Sequence, residues 1–98
     1  MAAHTGPGFT RNTQTLTTSP AVIVAADDHP RRVFIKNISA GDVFVGGNDD
    51  AALTTANGYE IAAEGELILD LPPFAAVYGI AGSSLEIRFM VQDGIQGF

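Results

Sequence analysis

Two stretches toward the end of the chain decide the fold: residues 66–71, ELILDL, and residues 85–91, LEIRFMV. Leucine occupies every second position of the first stretch, and Ile87 and Phe89 hold equivalent positions in the second. Because successive side chains of an extended strand point to opposite faces, this alternation gives each stretch one apolar face. A period of two is typical of half-buried β-strands, so these stretches predict a β-sheet protein.

Short stretches of the same kind continue in both directions along the chain. Eleven glycines and five prolines, in pairs such as Asn57-Gly58 and Pro72-Pro73, leave few windows long enough for a helix. About eight strands separated by turns predict a single all-β domain, a β-sandwich or jelly roll of antiparallel strands. The remaining predicted strands are residues 13–18, 21–26, 32–39, 43–46, 59–62 and 75–81.

The strand pattern also predicts a turn and a core. Ala40-Gly41-Asp42 favours a tight hairpin between strands 32–39 and 43–46. Side chains on the inward faces are expected to form the core. They are Val33, Ile35, Val43, Val45, Leu67, Leu69, Leu85, Ile87 and Phe89.

The two ends differ from the middle in composition. Residues 1–12 are small and polar and predict a flexible N-terminal arm, residues 13–93 form the β-sandwich domain, and residues 94–98 form a short C-terminal tail. The first ten residues lack the pattern of a signal peptide, and no apolar run approaches the ~20 residues of a membrane helix. We therefore expect the protein to be made in the cytosol and to remain there, or to leave by another route such as cell lysis.

Charge and composition exclude several classes of partner. Eleven acidic residues against five Lys and Arg give a net charge of −6, which disfavours nucleic acid and anionic membranes. Only 16% of residues are charged, against about 25% in ordinary domains, while 46% are hydrophobic. Too few charges are available to cover a small domain, so some apolar surface is expected to contact another protein chain.

The titratable residues predict no catalytic, cofactor or metal site. His4 lies in the predicted arm, and His29 lies in the turn sequence Asp27-Asp28-His29-Pro30. Consecutive residues at a strand end point in opposite directions, which is poor spacing for a shared ion. The segment 48–50, Asn-Asp-Asp, lacks the alternating carboxylates and closing Glu of a calcium loop. The chain also has no cysteine for a thiolate site.

Three further polar residues have structural interpretations. Arg31-Arg32 is the only basic pair, and we expect it to neutralise Asp27 and Asp28. Asn37 begins a match to the glycosylation sequon, but its place at a strand end favours an amide that caps the following turn.

Large apolar residues on outward faces predict a protein interface. If Val33 and Ile35 point inward, then Phe34 points outward, and the same alternation applies to three other strands. Such residues are more numerous than a small monomer needs, which favours assembly over a solitary chain. The predicted interface residues are Phe9, Arg11, Phe34, Phe44, Ile68, Met90 and Phe98.

Residues 31–91 carry a more specific pattern: RRVFIKNISAGDVFVGG, then NGYEIAAEGELILDL, then AAVYGIAGSSLEIRFMV. This order resembles small bacteriophage virion proteins of the capsid decoration (cement) or head-fibre type. The matching residues are Ile35, Asn37, Ser39, Val43, Val45, Gly46, Gly47, Asn57, Gly58, Ile61, Gly65, Glu66, Leu67, Val77, Tyr78, Ile80 and Ala81.

The resemblance implies a non-enzymatic protein of the virion, assembled in the host cytoplasm. Its implied partners are the major capsid protein or other virion proteins, together with further copies of the chain, as a trimer. An alternative is a head-fibre, tail or baseplate module that binds a host receptor, although the chain has no tryptophan and only two tyrosines for glycan binding. A cupin-like enzyme would need a histidine cluster that two separated histidines do not supply.

Overall fold

The computed structural model describes residues 9–47 and 52–93. These residues form eight β-strands and no helix, which confirms the predicted all-β fold, and no membrane-spanning helix occurs among them. The strands are β1 (Phe9–Leu16), β2 (Ala21–Val24), β3 (Arg31–Asn37), β4 (Val43–Gly47), β5 (Tyr59–Ile61), β6 (Glu66–Leu71), β7 (Val77–Ala81) and β8 (Leu85–Asp93).

The strands form two four-stranded antiparallel sheets. Sheet A has the order β1-β8-β3-β6, and sheet B has the order β2-β7-β4-β5. The chain changes sheet at every connection except the one between β4 and β5. Two sheets that exchange strands in this order form a jelly roll, one of the two architectures that the sequence predicts.

The predicted hairpin between residues 32–39 and 43–46 is wrong. β3 pairs with β6 and β8 in sheet A, whereas β4 pairs with β5 and β7 in sheet B. The side chain of Asn37, at the end of β3, explains why the chain passes from sheet A to sheet B here. Its amide nitrogen lies 2.7 Å from the carbonyl oxygen of Gly41 and 3.0 Å from that of Ile61 in β5, which draws the turn toward sheet B.

The predicted boundary of the N-terminal arm is also wrong. β1 begins at Phe9, so residues 9–12 belong to sheet A and pair with β8 from Phe9↔Gln92 onward. Backbone pairing along β8 requires no apolar alternation, and so this polar stretch carried no strand signal. Residues 1–8 and 94–98 lie outside the described residues, so the shortened arm and the tail stay predictions.

The core lies between the two sheets. Val33, Ile35, Val43, Val45 and Ile87 are buried there as predicted. Leu67, Leu69, Leu85 and Phe89 are half-buried and pack against it. The sequence prediction missed the core residues Leu16, Ile23, Val24, Ile61, Leu71, Val77 and Ala81.

A close approach of the two sheets explains the glycine in the middle of β7. A Cβ atom at Gly79 would lie 2.7 Å from Ile23 Cδ1 and 2.9 Å from Leu16 Cδ1. The side chains of β1 and β2 therefore occupy the space that a larger residue at Gly79 would need.

Candidate interaction surface

Four predicted interface residues form one row across the outer face of sheet A. Arg11 pairs with Met90, Met90 pairs with Phe34, and Phe34 pairs with Ile68, so the row crosses β1, β8, β3 and β6 in turn. The row faces outward because the neighbours of Phe34 along β3 are buried. Ile68 is 57% exposed, Phe34 and Met90 are half-buried and Arg11 is exposed. We call these four residues the outer row.

Polar rows flank the outer row on both sides. On one side Arg32 lies opposite Asp70, and its Nε donates to Asp70 Oδ1 at 2.7 Å. This bond raises the pKa of Arg32 and lowers the pKa of Asp70. On the other side the register places Arg88 opposite Lys36, and Lys36 opposite Glu66. The result is a strip of apolar side chains with charged groups along both edges.

This face holds nearly all of the chain's positive charge. Arg11, Arg32, Lys36 and Arg88 are four of the five Lys and Arg residues. Among the described residues, neither Arg11 nor Arg88 forms a salt bridge. A groove of about 610 Å³ runs beside the outer row, and of the described residues that line it only Glu66 is acidic. The face thus combines apolar contact area with two cations, Arg11 and Arg88, that form no salt bridge with a described residue.

Phe44 lies on the outer face of sheet B, where part of the chain covers it. It pairs with Ile80, which is 5% exposed, and Leu53 in the loop after β4 is 3% exposed. A Cβ atom at Gly58 would lie 2.7 Å from Phe44 Cβ and 2.9 Å from Leu53 Cδ1. The loop 52–58 therefore packs on this face, and Phe44 is a poor candidate for an intermolecular contact.

The two remaining predicted interface residues stay predictions. Phe98 lies outside the described residues. Phe9 begins β1 opposite Gln92, beside the outer row in the strand register.

His29 lies between carboxylates from two parts of the chain. Its Nδ1 is 3.1 Å from Asp28 Oδ1 and its Nε2 is 3.1 Å from Asp93 Oδ1 at the end of β8. The hydrogen bond with Asp28, followed by that with Asp93, raises the pKa of His29, and the bond with His29 lowers the pKa of Asp28.

The spacing argument against a shared ion at this turn is wrong. Ligand atoms of Asp27, Asp28 and His29 all lie within 4.8 Å of one another. These residues lie outside any strand, with Asp28 and His29 in a bend, so their side chains do not alternate. Exposed acidic groups of this kind are common without an ion, and the absence of a metal remains a prediction. Residues 48–50, the other candidate, lie outside the described residues.

The basic pair does not neutralise Asp27 and Asp28. Arg32 pairs with Asp70 instead, and Arg31 is buried and donates to the carbonyl oxygens of Ala25 and Ala75, both at 2.7 Å. Its Nε atom is buried without a hydrogen-bond partner among the described residues. Arg31 therefore holds the segment after β2, which contains Ala25, close to the segment before β7, which contains Ala75. Residue order alone could not separate its role from that of Arg32.

Asn37 caps its turn as predicted, and it does more. Its Oδ1 accepts a hydrogen bond from the backbone nitrogen of Ser39 at 3.0 Å. Its backbone nitrogen donates to the carbonyl oxygen of Gly65 at 2.9 Å, while its side chain reaches Ile61 in sheet B. This fully buried residue joins the two sheets at one end of the molecule.

A second charged surface was not predicted from the sequence. Asp42 hydrogen-bonds to Glu60, which raises the pKa of Glu60, and Asp42 Oδ1 also accepts from the backbone nitrogen of Ala63. Glu64 lies in the following turn, where its carbonyl oxygen accepts a hydrogen bond from Lys36 Nζ at 3.0 Å. Tyr59 is 66% exposed but pairs with Val45, so it points to the opposite side of β5 from Glu60. We call Asp42, Glu60 and Glu64 the acidic surface.

Comparison with known proteins supports the fold. No protein-family model matches the chain, and neither does any curated protein sequence. Among solved structures, the chain is similar to one from Bacillus endospore appendages, described as a novel family of disulfide-linked pili. The two share 13% sequence identity with a TM-score of 0.64, and the match covers 92% of this chain and 88% of the other. A likeness at this identity shows a common fold and leaves the phage resemblance a hypothesis.

Proposed function

We propose that this chain is a non-enzymatic structural protein that acts by binding neighbouring chains in a larger assembly. One observation carries the proposal: the outer row presents Phe34, Met90 and Ile68 on a face that the described residues leave open. Exposed apolar side chains with a charged border are typical of a protein contact surface.

The structural neighbour adds support for assembly, together with one difference. That protein belongs to pili described as disulfide-linked. The present chain has no cysteine, so its copies cannot be joined in that way. Any assembly of this chain must use contacts other than disulfides, so the composition of its surface is the feature to examine.

At a finer level, we propose a capsid decoration protein that binds and stabilises the major capsid protein lattice of a bacteriophage. The support is the resemblance of residues 31–91 to small virion proteins. Several of the residues that carry it, including Asn37, Ser39 and Gly65, build the crossing between the sheets. The protein would then act within the virion after assembly in the host cytoplasm.

A second candidate is a head-fibre, tail or baseplate module that binds a host receptor. Two exposed aromatic side chains favour it, Tyr59 and Phe74, of which Phe74 is 71% exposed in the turn after β6. Exposed aromatic rings are common where proteins bind glycans or other proteins.

Sedimentation with purified shells separates the two candidates. We would mix the chain with phage shells that lack a decoration protein and, separately, with host cells. Decoration predicts that the chain sediments with shells and that Ile68→Glu prevents it. Val22→Glu is the matched control, because Val22 is 44% exposed in β2 of sheet B. Binding to cells alone would favour the receptor-binding module, and equal binding of shells by both variants would contradict a role for the outer row.

A further inference from the structure

The two edges of sheet A are longer and more regular than the edges of sheet B. β1 pairs with β8 over eight residues and β6 pairs with β3 over six, each without a register shift. In sheet B the edge strand β2 has a register shift between Val22 and Val24, and the edge strand β5 has three residues. Bulges and short strands keep a sheet from pairing with another chain, and the edges of sheet A have neither device.

The hydrogen-bond pattern identifies the backbone groups at the open edge of β6. The backbone nitrogen of Asn37 donates to the carbonyl oxygen of Gly65 at 2.9 Å, in register with the pairing of β3 and β6. Hydrogen-bonded and non-hydrogen-bonded pairs alternate along antiparallel strands. The N–H and C=O groups that point away from β3 are therefore those of Glu66, Ile68 and Asp70.

The same alternation continues across the sheet to β1. The register of β3 with β8 and of β8 with β1 directs the backbone groups of every second residue of β1 away from β8. These residues are Phe9, Arg11, Thr13 and Thr15. Among the described residues, no hydrogen bond reaches these groups or the open groups of β6. Both edges of sheet A can therefore accept a further strand.

Strand direction and charge select the strand that fits. β1 and β6 run in opposite directions at opposite edges of sheet A, so β6 of one copy can meet β1 of another as an antiparallel pair. Only one register sets the open backbone groups of both strands against each other and also pairs all six residues of β6. It places Ile68 opposite Thr13 and Asp70 opposite Arg11. Arg11, which forms no salt bridge with a described residue, then lies opposite a carboxylate.

Pairing of like edges is less favourable. Two β6 strands paired about Ile68 would set Glu66 of each copy opposite Asp70 of the other, and like charges directly opposite are destabilising. Two β1 strands would leave Arg11 without a carboxylate and both β6 edges open. The pairing of β6 with β1 has neither defect.

Resting on the proposed assembly function, we propose that β6 of one copy pairs with β1 of a second copy, so that sheet A continues from copy to copy. Because this contact is head-to-tail, each copy offers one edge of each kind. A closed arrangement gives a ring such as a trimer, and an open one gives a filament. The outer rows of successive copies then lie along one continuous sheet face.

Proline at an open-edge position tests the contact, because it removes an outward N–H and no hydrogen bond within the chain's own sheet. The variants are Thr13→Pro in β1 and Ile68→Pro in β6, compared with the full wild-type chain by sedimentation equilibrium. We expect the wild type to form particles larger than a dimer. Each variant alone should associate at least about tenfold more weakly, since a hydrogen bond is lost and the ring obstructs the neighbouring strand. Thr13→Ser, which keeps the N–H, is the matched control and should associate like the wild type.

An equimolar mixture of the two proline variants provides the sharpest result. Thr13→Pro keeps its β6 edge and Ile68→Pro keeps its β1 edge, so the mixture should form one-to-one dimers and nothing larger. Thermal melting shows whether the variants fold. If a proline variant does not fold, Arg11→Glu tests the same contact with the backbone intact. It sets two carboxylates opposite each other and should also weaken association.

Other outcomes overturn the contact. They are a wild-type chain that forms nothing larger than a dimer, a folded proline variant that associates like the wild type, or a mixture without dimers. A wild-type monomer that still binds shells overturns this contact and leaves the proposed function standing. Oligomers that obey the mixing test but bind no shell support the contact and contradict the decoration function.

Discussion

The outer faces of the two sheets differ in what lies on them. On sheet B, loop 52–58 packs over Phe44, and both Leu53 and Ile80 are nearly inaccessible to solvent. On sheet A, the outer row has no such cover among the described residues, and Ile68 is more than half exposed. Both faces carry large apolar side chains, but only on sheet B does a described loop cover part of them, and even there Val22 in β2 stays 44% exposed.

This difference separates apolar residues that stabilise the fold from those available to a partner. Leu53 removes its own surface and that of its neighbours from water, so it should contribute to the free energy of unfolding. Ile68 remains largely in water in the isolated chain and should contribute little. Selection for stability alone does not account for a row of Phe34, Met90 and Ile68 on an open face, whereas assembly does.

Leu53→Ala should give the largest loss of stability. Leu53 is 3% exposed, and removing a buried leucine side chain costs about 2–5 kcal/mol through lost burial and the cavity left behind. Urea unfolding monitored by circular dichroism measures the loss. A change below about 1 kcal/mol would mean that the loop does not hold the face of sheet B closed.

Gly58→Ala should have the next largest effect. The added Cβ atom would lie 2.7 Å from Phe44 Cβ, so the loop must shift and part of its packing is lost, at a cost of about 1–3 kcal/mol. Gly82→Ala is the matched control, because a Cβ atom there would meet nothing within 4 Å. Equal melting temperatures for the two variants would show that loop 52–58 is not tightly packed.

On sheet A, Ile68→Ala should change the free energy of unfolding by less than about 0.5 kcal/mol, as expected for an exposed position. Its neighbour Leu69 is half-buried against the core, and Leu69→Ala should cost about 2 kcal/mol. Denaturant titration of both variants provides the comparison. A greater loss from Ile68→Ala would place the alternation of β6 one residue out of register.

Asp70→Asn should have the smallest effect, because the Arg32–Asp70 pair lies in solvent at the edge of sheet A. The pKa of Asp70 is lowered below its ordinary value of 3.8, so the pair contributes fully above that pH. The contribution is lost as the pH falls through the lower folded-state value. Unfolding titrations should therefore show a small difference at neutral pH that disappears in acid, and a difference that grows in acid would contradict this sign.

The sequence predicted the strands better than their arrangement. The alternation in residues 66–71 and 85–91 identified β6 and β8, since a period of two depends on local geometry alone. The same period fits a strand of either sheet, and for that reason the crossing after β3 could not be predicted. It depends on contacts of Asn37 with residues more than twenty positions away.

The candidate surface was predicted in part for the same reason. Alternation placed Arg11, Phe34, Ile68 and Met90 outside the core or in the arm, but only the strand register joins them into one row. Nothing periodic in the sequence around Leu53 indicated that its loop covers Phe44. The acidic surface likewise depends on the approach of Asp42, just before β4, to Glu60 in β5.

Hydroxyl-radical labelling of the free and assembled protein, read by mass spectrometry, tests the central claim most directly. Assembly through the open face of sheet A predicts that labelling of Phe34, Ile68 and Met90 falls in the assembled state. Labelling of Val22 and Phe74, both exposed elsewhere on the molecule, should stay unchanged. Unchanged labelling of Ile68 and Met90 in the assembled protein, with protection at Val22 or Phe74 instead, would contradict the account.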